Sequence, residues 1–156
     1  MNNDRVFMSA AIELARQSAL EGEVPVGAVI VRNGEIVATG RNRRETGKNA
    51  LSHAEIQAID RACRALGGWR LFECEMFVTL EPCPMCAGAI INSRIKRVVF
   101  GAYDKKAGSC GSVVNLFELP YNHFPALEGG FMEDECAGLL TEFFKNLREK
   151  KKTDDI

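Results

Sequence analysis

Thr79-Leu80-Glu81-Pro82-Cys83-Pro84-Met85-Cys86 is the stretch from which the rest of the chain can be read. The β-rich run Met76–Leu80 predicts a strand, and the proline-flanked Cys-x-x-Cys behind it predicts a short apolar helix over Pro82–Ser93. Pro84 suits the first helical turn, where its missing N–H costs nothing. Another strand, Arg97–Ala102, follows. Strand, helix and strand in that order imply a parallel crossover.

Working outward, residues 4–21 place Phe7, Ala11, Leu14 and Ser18 on one face of an amphipathic helix closed by Gly22. Val26–Val31 and Ile36–Thr39 flank Asn33-Gly34, a strong hairpin signal. A polar, basic loop covers 40–50. Ser52 then opens a helix carrying Ile56, Ile59, Cys63 and Leu66, closed by Gly67-Gly68. Ser112–Phe117 reads as a short helix and Pro125–Leu127 as a weak strand. The final helix spans Glu133–Lys150, with Cys136, Leu139, Leu140, Phe143, Phe144 and Leu147 expected to face inward. The fold class is α/β: a three-layer α/β/α sandwich with a mixed five-stranded sheet. Residues 1–156 form a single domain, the last few being a flexible basic tail.

At 156 residues, 46% of them hydrophobic and 26% charged, the composition is that of a globular protein with a sizeable core. No apolar run approaches the ~18 residues of a membrane span. Met1-Asn2-Asn3-Asp4-Arg5 is not a secretory n-region, so a cytoplasmic protein with reduced thiols is expected. The net charge of −1 hides segregation. Arg41, Arg43, Arg44 and Lys48 oppose only Glu45. Arg94, Lys96, Arg97, Lys105 and Lys106 oppose only Asp104. Lys145, Arg148, Lys150, Lys151 and Lys152 oppose only Glu149. Each run is either a solvated face or part of a phosphate-binding surface.

Thirty residues before Cys83 stands Ser52-His53-Ala54-Glu55. Catalytic zinc keeps three protein ligands and leaves its fourth position to water. His53, Cys83 and Cys86 supply three, Cys83 and Cys86 from one helix face. The other histidine, His123, lies in a different context, so the site reads as open and catalytic. Glu55, two residues from His53, is placed to carry the proton that an activated water gives up. Blander readings exist for each part. Ser52-x-x-Glu55 is a capping box, Cys-x-x-Cys also serves redox and structural zinc sites, and a lone histidine is usually structural. The combination is more specific than its parts.

His53-Ala54-Glu55 with Pro82-Cys83-Pro84-Met85-Cys86 resembles the signature of the zinc-dependent cytidine/nucleobase deaminase superfamily. Glu23–Ala28, Gly40-Arg41-Asn42, Cys86–Ala89, Val98–Ala102 and Asn122-His123 are similar to the bacterial tRNA-specific adenosine deaminases within it. The resemblance implies a cytidine-deaminase-like fold and one Zn2+ per subunit. It also implies hydrolysis of adenosine to inosine at the wobble position of a tRNA anticodon, with an arginine tRNA the typical substrate. Zinc hydroxide would attack C6, Glu55 shuttling protons. A homodimer would hold the anticodon loop across both subunits. Also from the resemblance, Asn42 would bond the base, Val26 would wall its pocket and the Ala54 amide would face the reacting centre. Arg44, Arg70 and Phe144 are expected to touch RNA, and Arg94 and Arg97 to border either the RNA or the dimer contact. Phe124-Pro125 departs from the family where a basic residue is expected.

Two rivals remain. A free-base deaminase acting on guanine or cytosine would use the same zinc and glutamate. A non-catalytic module with structural zinc would want a fourth protein ligand and could lose Glu55.

Overall fold

The computed structural model describes residues 3–154. One five-stranded sheet, ordered β2-β1-β3-β4-β5, organises it. The strands are β1 (Gly27–Arg32), β2 (Glu35–Arg41), β3 (Cys74–Leu80), β4 (Arg97–Ala102) and β5 (Ala126–Glu128). β1 runs antiparallel to both β2 and β3, while β3, β4 and β5 are mutually parallel, so the sheet is mixed. Asn33 and Gly34 both take positive φ, at 52° and 77°, and close the β1–β2 hairpin as the sequence predicts.

Side chains alternate across the strands, and each face is covered by two helices. Ala28, Ile30, Met76, Val78, Val98 and Phe100 point to the face holding α2 (Ala54–Leu66) and α3 (Pro84–Ser93). Val29, Val31, Phe77 and Val99 point to the opposite face, against α1 (Asp4–Leu20) and α4 (Glu133–Asp154). The result is an α/β/α sandwich. Gly27 lies directly beneath α1 and Gly40 directly beneath α2, so both helices approach strand backbone where a side chain would keep them away.

Most element ends shift by one or two residues, and three differences matter. α2 begins at Ala54 with His53 as its N-cap, not at Ser52, and no side chain caps it. Glu55 is therefore free of the capping role that Ser52-x-x-Glu55 suggests. Within the expected Ser112–Phe117 helix, and from there to α4, helical structure is confined to one 3-10 turn, Leu116–Glu118. At the C-terminus, α4 continues through Asp154, so the basic stretch expected as a tail extends the helix. Its Glu and Lys residues are good helix formers, and Thr153 Oγ1 donates to the Glu149 carbonyl. Residues 155–156 lie outside the described residues.

The inward face of α4 is also shorter than its periodicity suggests. Cys136 is buried and Leu139 and Leu140 partly so, but from Phe144 onward every described side chain is exposed. Phe144 stacks edge-on against Phe143 instead of entering the core. No helix among the described residues is long and apolar enough to cross a membrane.

Candidate active site

β1 starts, and β2, β3 and β4 end, at one edge of the sheet. Two helices begin there. His53 is the N-cap of α2 and Cys83 the N-cap of α3, both with extended backbone (ψ 151° and 176°). An N-cap side chain ordinarily turns back to bond the first amides, yet neither of these does. Both project away from their helices. Cys86, three residues on, rises from the same turn of α3 as Cys83.

His53 Nδ1 lies 3.6 Å from Sγ of Cys83 and 3.6 Å from Sγ of Cys86. Tetrahedral zinc, with bonds of about 2.0–2.1 Å to nitrogen and about 2.3 Å to sulfur, spaces such ligands about 3.6 Å apart. The three donor atoms lie within 4.8 Å of one another, the one such group among the described residues. His123 is elsewhere, its Nε2 donating to the Ile95 carbonyl at 2.7 Å. The donor set fits zinc and leaves one coordination position without a protein ligand.

The three side chains shift one another's protonation. Hydrogen bonding from Cys86, then from His53, pulls the Cys83 thiol down to about 4, although burial opposes it. The same bond to Cys83, with burial, pushes Cys86 far above the usual thiol range. Bonding to Cys83 raises His53. The two thiols are thus pushed in opposite directions by each other, an imbalance that a bound cation would offset.

Glu55 sits in the first turn of α2, only 4% exposed. Burial pushes its carboxyl up to about 7 and the Cys83 thiolate adds to the rise, while its own backbone amide and His53 pull the other way. A carboxyl poised near neutrality can both take and give a proton at working pH.

A cavity of about 210 Å³ opens onto these groups. Among the residues singled out from sequence, Val26, Asn42, Arg44, Ala54, His53, Glu55 and Cys83 line it. Asn42 is held in place: its Nδ2 donates to the Val24 carbonyl at 3.1 Å, and its Oδ1 accepts from the Arg44 amide at 3.3 Å. Arg70 and Phe144 do not line this cavity. Arg70 stacks on the exposed ring of Trp69, 4.2 Å from its centroid, in the connection between α2 and β3. That connection follows the end of α2 and precedes β3, at the sheet edge away from the zinc ligands.

The sequence reading passed over five wall residues: Val24, Leu80, Glu81, Asp104 and Ala107. Glu81 was visible as a lone acid inside an apolar run. Asp104 and Ala107 carried no signal, because their approach depends on β4 pairing in parallel beside β3.

Residues 1–102 match the cytidine and deoxycytidylate deaminase zinc-binding region. The chain is 50% identical over 153 residues to the tRNA-specific adenosine deaminase of Bacillus subtilis (strain 168), covering 97% of this chain and 95% of that protein. Its structure is similar to one solved in work on A-to-I editing by tRNA:A34 deaminases at the wobble position of transfer RNA. There the TM-score is 0.85 and the identity 42%, over 87% of this chain and 99% of the other. A guanine deaminase from Nitrosomonas europaea is also similar, with a TM-score of 0.78 and 26% identity over 88% of this chain and 82% of the other. The match runs through nearly the whole of both chains, and the zinc-binding region matched spans His53, Cys83 and Cys86, so this chain belongs to the tRNA-specific adenosine deaminase family of zinc-dependent deaminases.

Proposed function

We propose that the protein converts adenosine to inosine at the wobble position of a tRNA anticodon, water entering and ammonia leaving. The observation that carries this is the buried Glu55 carboxyl beside an open three-ligand site at the floor of a cavity. A structural zinc site would close its fourth position with protein and would not keep a near-neutral acid beside it. His53, Cys83 and Cys86 would hold zinc, which when bound would supply the Lewis acidity that makes water a nucleophile near neutral pH. Glu55 accepts the proton given up there, delivers it to ring N1 and assists the departing amine. Val26 offers an apolar wall to the base. Asn42 retains one N–H and one lone pair for it after serving Val24 and Arg44. The Ala54 amide, at the positive end of α2, faces the reacting centre.

A flipped anticodon base, not a free one, is the substrate we favour. Family membership supports this, as does exposed Arg44 at the rim and the exposed basic end of α4 with Phe144. We further propose an arginine tRNA as substrate, a cytoplasmic setting, a single catalytic domain and a homodimer. For the last, the exposed apolar residues Val113, Leu119, Tyr121 and Phe124 offer a surface. Arg70 lies in the α2–β3 connection, at the sheet edge away from the cavity, so an RNA contact by it needs a loop that extends past the rim or reaches across a dimer.

The test is incubation of zinc-loaded protein with an arginine tRNA bearing adenosine at the wobble position, inosine being read by sequencing. Inosine confined to that position is expected. No inosine, with ammonia released from guanine or cytosine, would replace the assignment with a free-base deaminase. Activity on the anticodon stem-loop should fall steeply between 50 and 200 mM salt if the basic runs neutralise phosphates; a flat response would exclude them.

A further inference from the structure

The zinc trio and Glu55 account for one floor of the cavity, but a second buried carboxylate in its wall is unused by that chemistry. Glu81 is 2% exposed and lies two residues before Cys83. Its amide donates to the Ala102 carbonyl at 2.8 Å, carrying the β3–β4 pairing one step past the strand ends. The carboxylate beyond it is surrounded by donors from a single segment. Oε1 accepts from the Asp104 amide at 3.1 Å and from the Ser112 hydroxyl. Oε2 accepts from the amides of Cys110 and Ser112, each at 3.0 Å. A carboxylate has about four lone-pair positions, so its capacity is filled by this one loop.

The loop is built to fit that group. Gly108 lies so close that a Cβ there would stand 2.3 Å from the carboxyl carbon. Asp104 Oδ1 accepts from the amides of Lys106 and Ala107 at 3.0 and 3.2 Å, tightening the turn, and the Ser109 amide donates to the Pro82 carbonyl at 2.8 Å. Asp104 and Ala107, on this same turn, line the cavity. Four bonds to an ionised acceptor in a buried site fix a loop far more firmly than bonds to water.

We propose that Glu81 is a positioning residue that sets the gap between the zinc-binding turn and the opposite wall of the substrate cavity. Its carboxylate acts through the Asp104–Ser112 loop, whose four bonds leave it no acceptor position for substrate or metal. The wall it holds faces the bound nucleotide as a whole, so the loss falls on binding common to ground and transition states. This inference rests on the deaminase reading only for its kinetic arm.

The test compares Glu81→Gln and the milder Ser112→Ala with wild type, all zinc-loaded. In Glu81→Gln the amide keeps the shape but turns two hydrogens toward two N–H donors. Amide hydrogen exchange at Asp104, Cys110 and Ser112 should accelerate at least tenfold, with Val99 in the sheet unchanged and zinc at one equivalent. KM for the anticodon stem-loop should rise about tenfold with kcat within about threefold of wild type, and Ser112→Ala should shift both readouts less, in the same direction. Unchanged exchange at the three amides would overturn the proposal. So would faster exchange with unchanged KM, which makes the contact purely structural, or a fall in kcat with loss of zinc, which makes Glu81 a support of the metal. Should wild type itself not deaminate the stem-loop, the functional reading fails while the exchange arm still decides the role of Glu81.

Discussion

Gly40 of β2 lies against Ala54 at the start of α2 so closely that a Cβ on Gly40 would stand 2.1 Å from the Ala54 carbonyl oxygen. Ala54 sits between His53 and Glu55, so this single contact places both the metal-binding imidazole and the buried acid. Gly40→Ala must move the first turn of α2 outward. It should destabilise the fold by about 1–3 kcal/mol in urea titration and weaken zinc binding at least tenfold in a chelator competition. Unaltered zinc affinity would mean that the ligands are held from elsewhere.

Glu55→Gln removes the carboxyl we propose as proton carrier but keeps the shape. One zinc equivalent should remain while turnover falls by about 100-fold or more. Retained turnover would take Glu55 out of the chemistry.

The same variant has a pH signature in metal-free protein. The Glu55 carboxyl rises on folding from 4.5 to about 7, so the folded state holds its proton more tightly than the unfolded chain does. That preference stabilises the fold fully below pH 4.5 and is lost as pH rises through about 7. Glu55→Gln cannot lose it. The urea midpoint of the variant relative to wild type should therefore climb between pH 5 and pH 8; a difference independent of pH would contradict a buried carboxyl.

Cys86→Ser should leave the chain without stable zinc, measured as metal retained after dialysis against a weak chelator. Two ligands cannot hold the ion as three do, and the lost thiolate is the buried one. Serine at position 86 with a full zinc equivalent would require another ligand.

Arg97 ties four pieces of chain together at the far edge of the sheet. Its Nη2 donates to Asp4 at 2.7 Å and to Glu128 at 2.9 Å, and its Nη1 donates to Glu75 at 2.9 Å. Arg97→Ala should cost about 2–3 kcal/mol in unfolding because carboxylates on α1, β3 and β5 lose their common donor. Lysine, with no planar fork, should restore only part of it. A cost under about 0.5 kcal/mol would mark the cluster as ordinary surface charge.

Local chemistry made most of this fold legible. Asn33-Gly34 announced its hairpin, and Arg97–Ala102 its strand to the residue. Ser52 misled because a good capping residue stands one position before the true N-cap, His53. Phe144 and Leu147 continued a helical stripe past the point where α4 has a sheet to lie on; periodicity records which side chains share a face, not whether anything covers it. At the site, the convergence of His53, Glu55, Cys83 and Cys86 was readable from their spacing. The Asp104–Ser112 loop was not, since nothing in its composition shows that a carboxylate from the neighbouring strand will sit at its centre.

Both halves of the metal site come from the first residues of helices, directly after the chain has turned at one sheet edge. A helix fixed at its start passes no error back from its end. The Gly67–Glu73 connection, where α2 finishes and the chain returns to β3, is therefore the part of this fold open to editing. Several residues inserted after Gly68 should leave zinc stoichiometry at one, whereas a single residue inserted between Arg41 and His53 should abolish it. In engineering terms the molecule has one edge fixed to within tenths of an ångström and another that can serve as an attachment point.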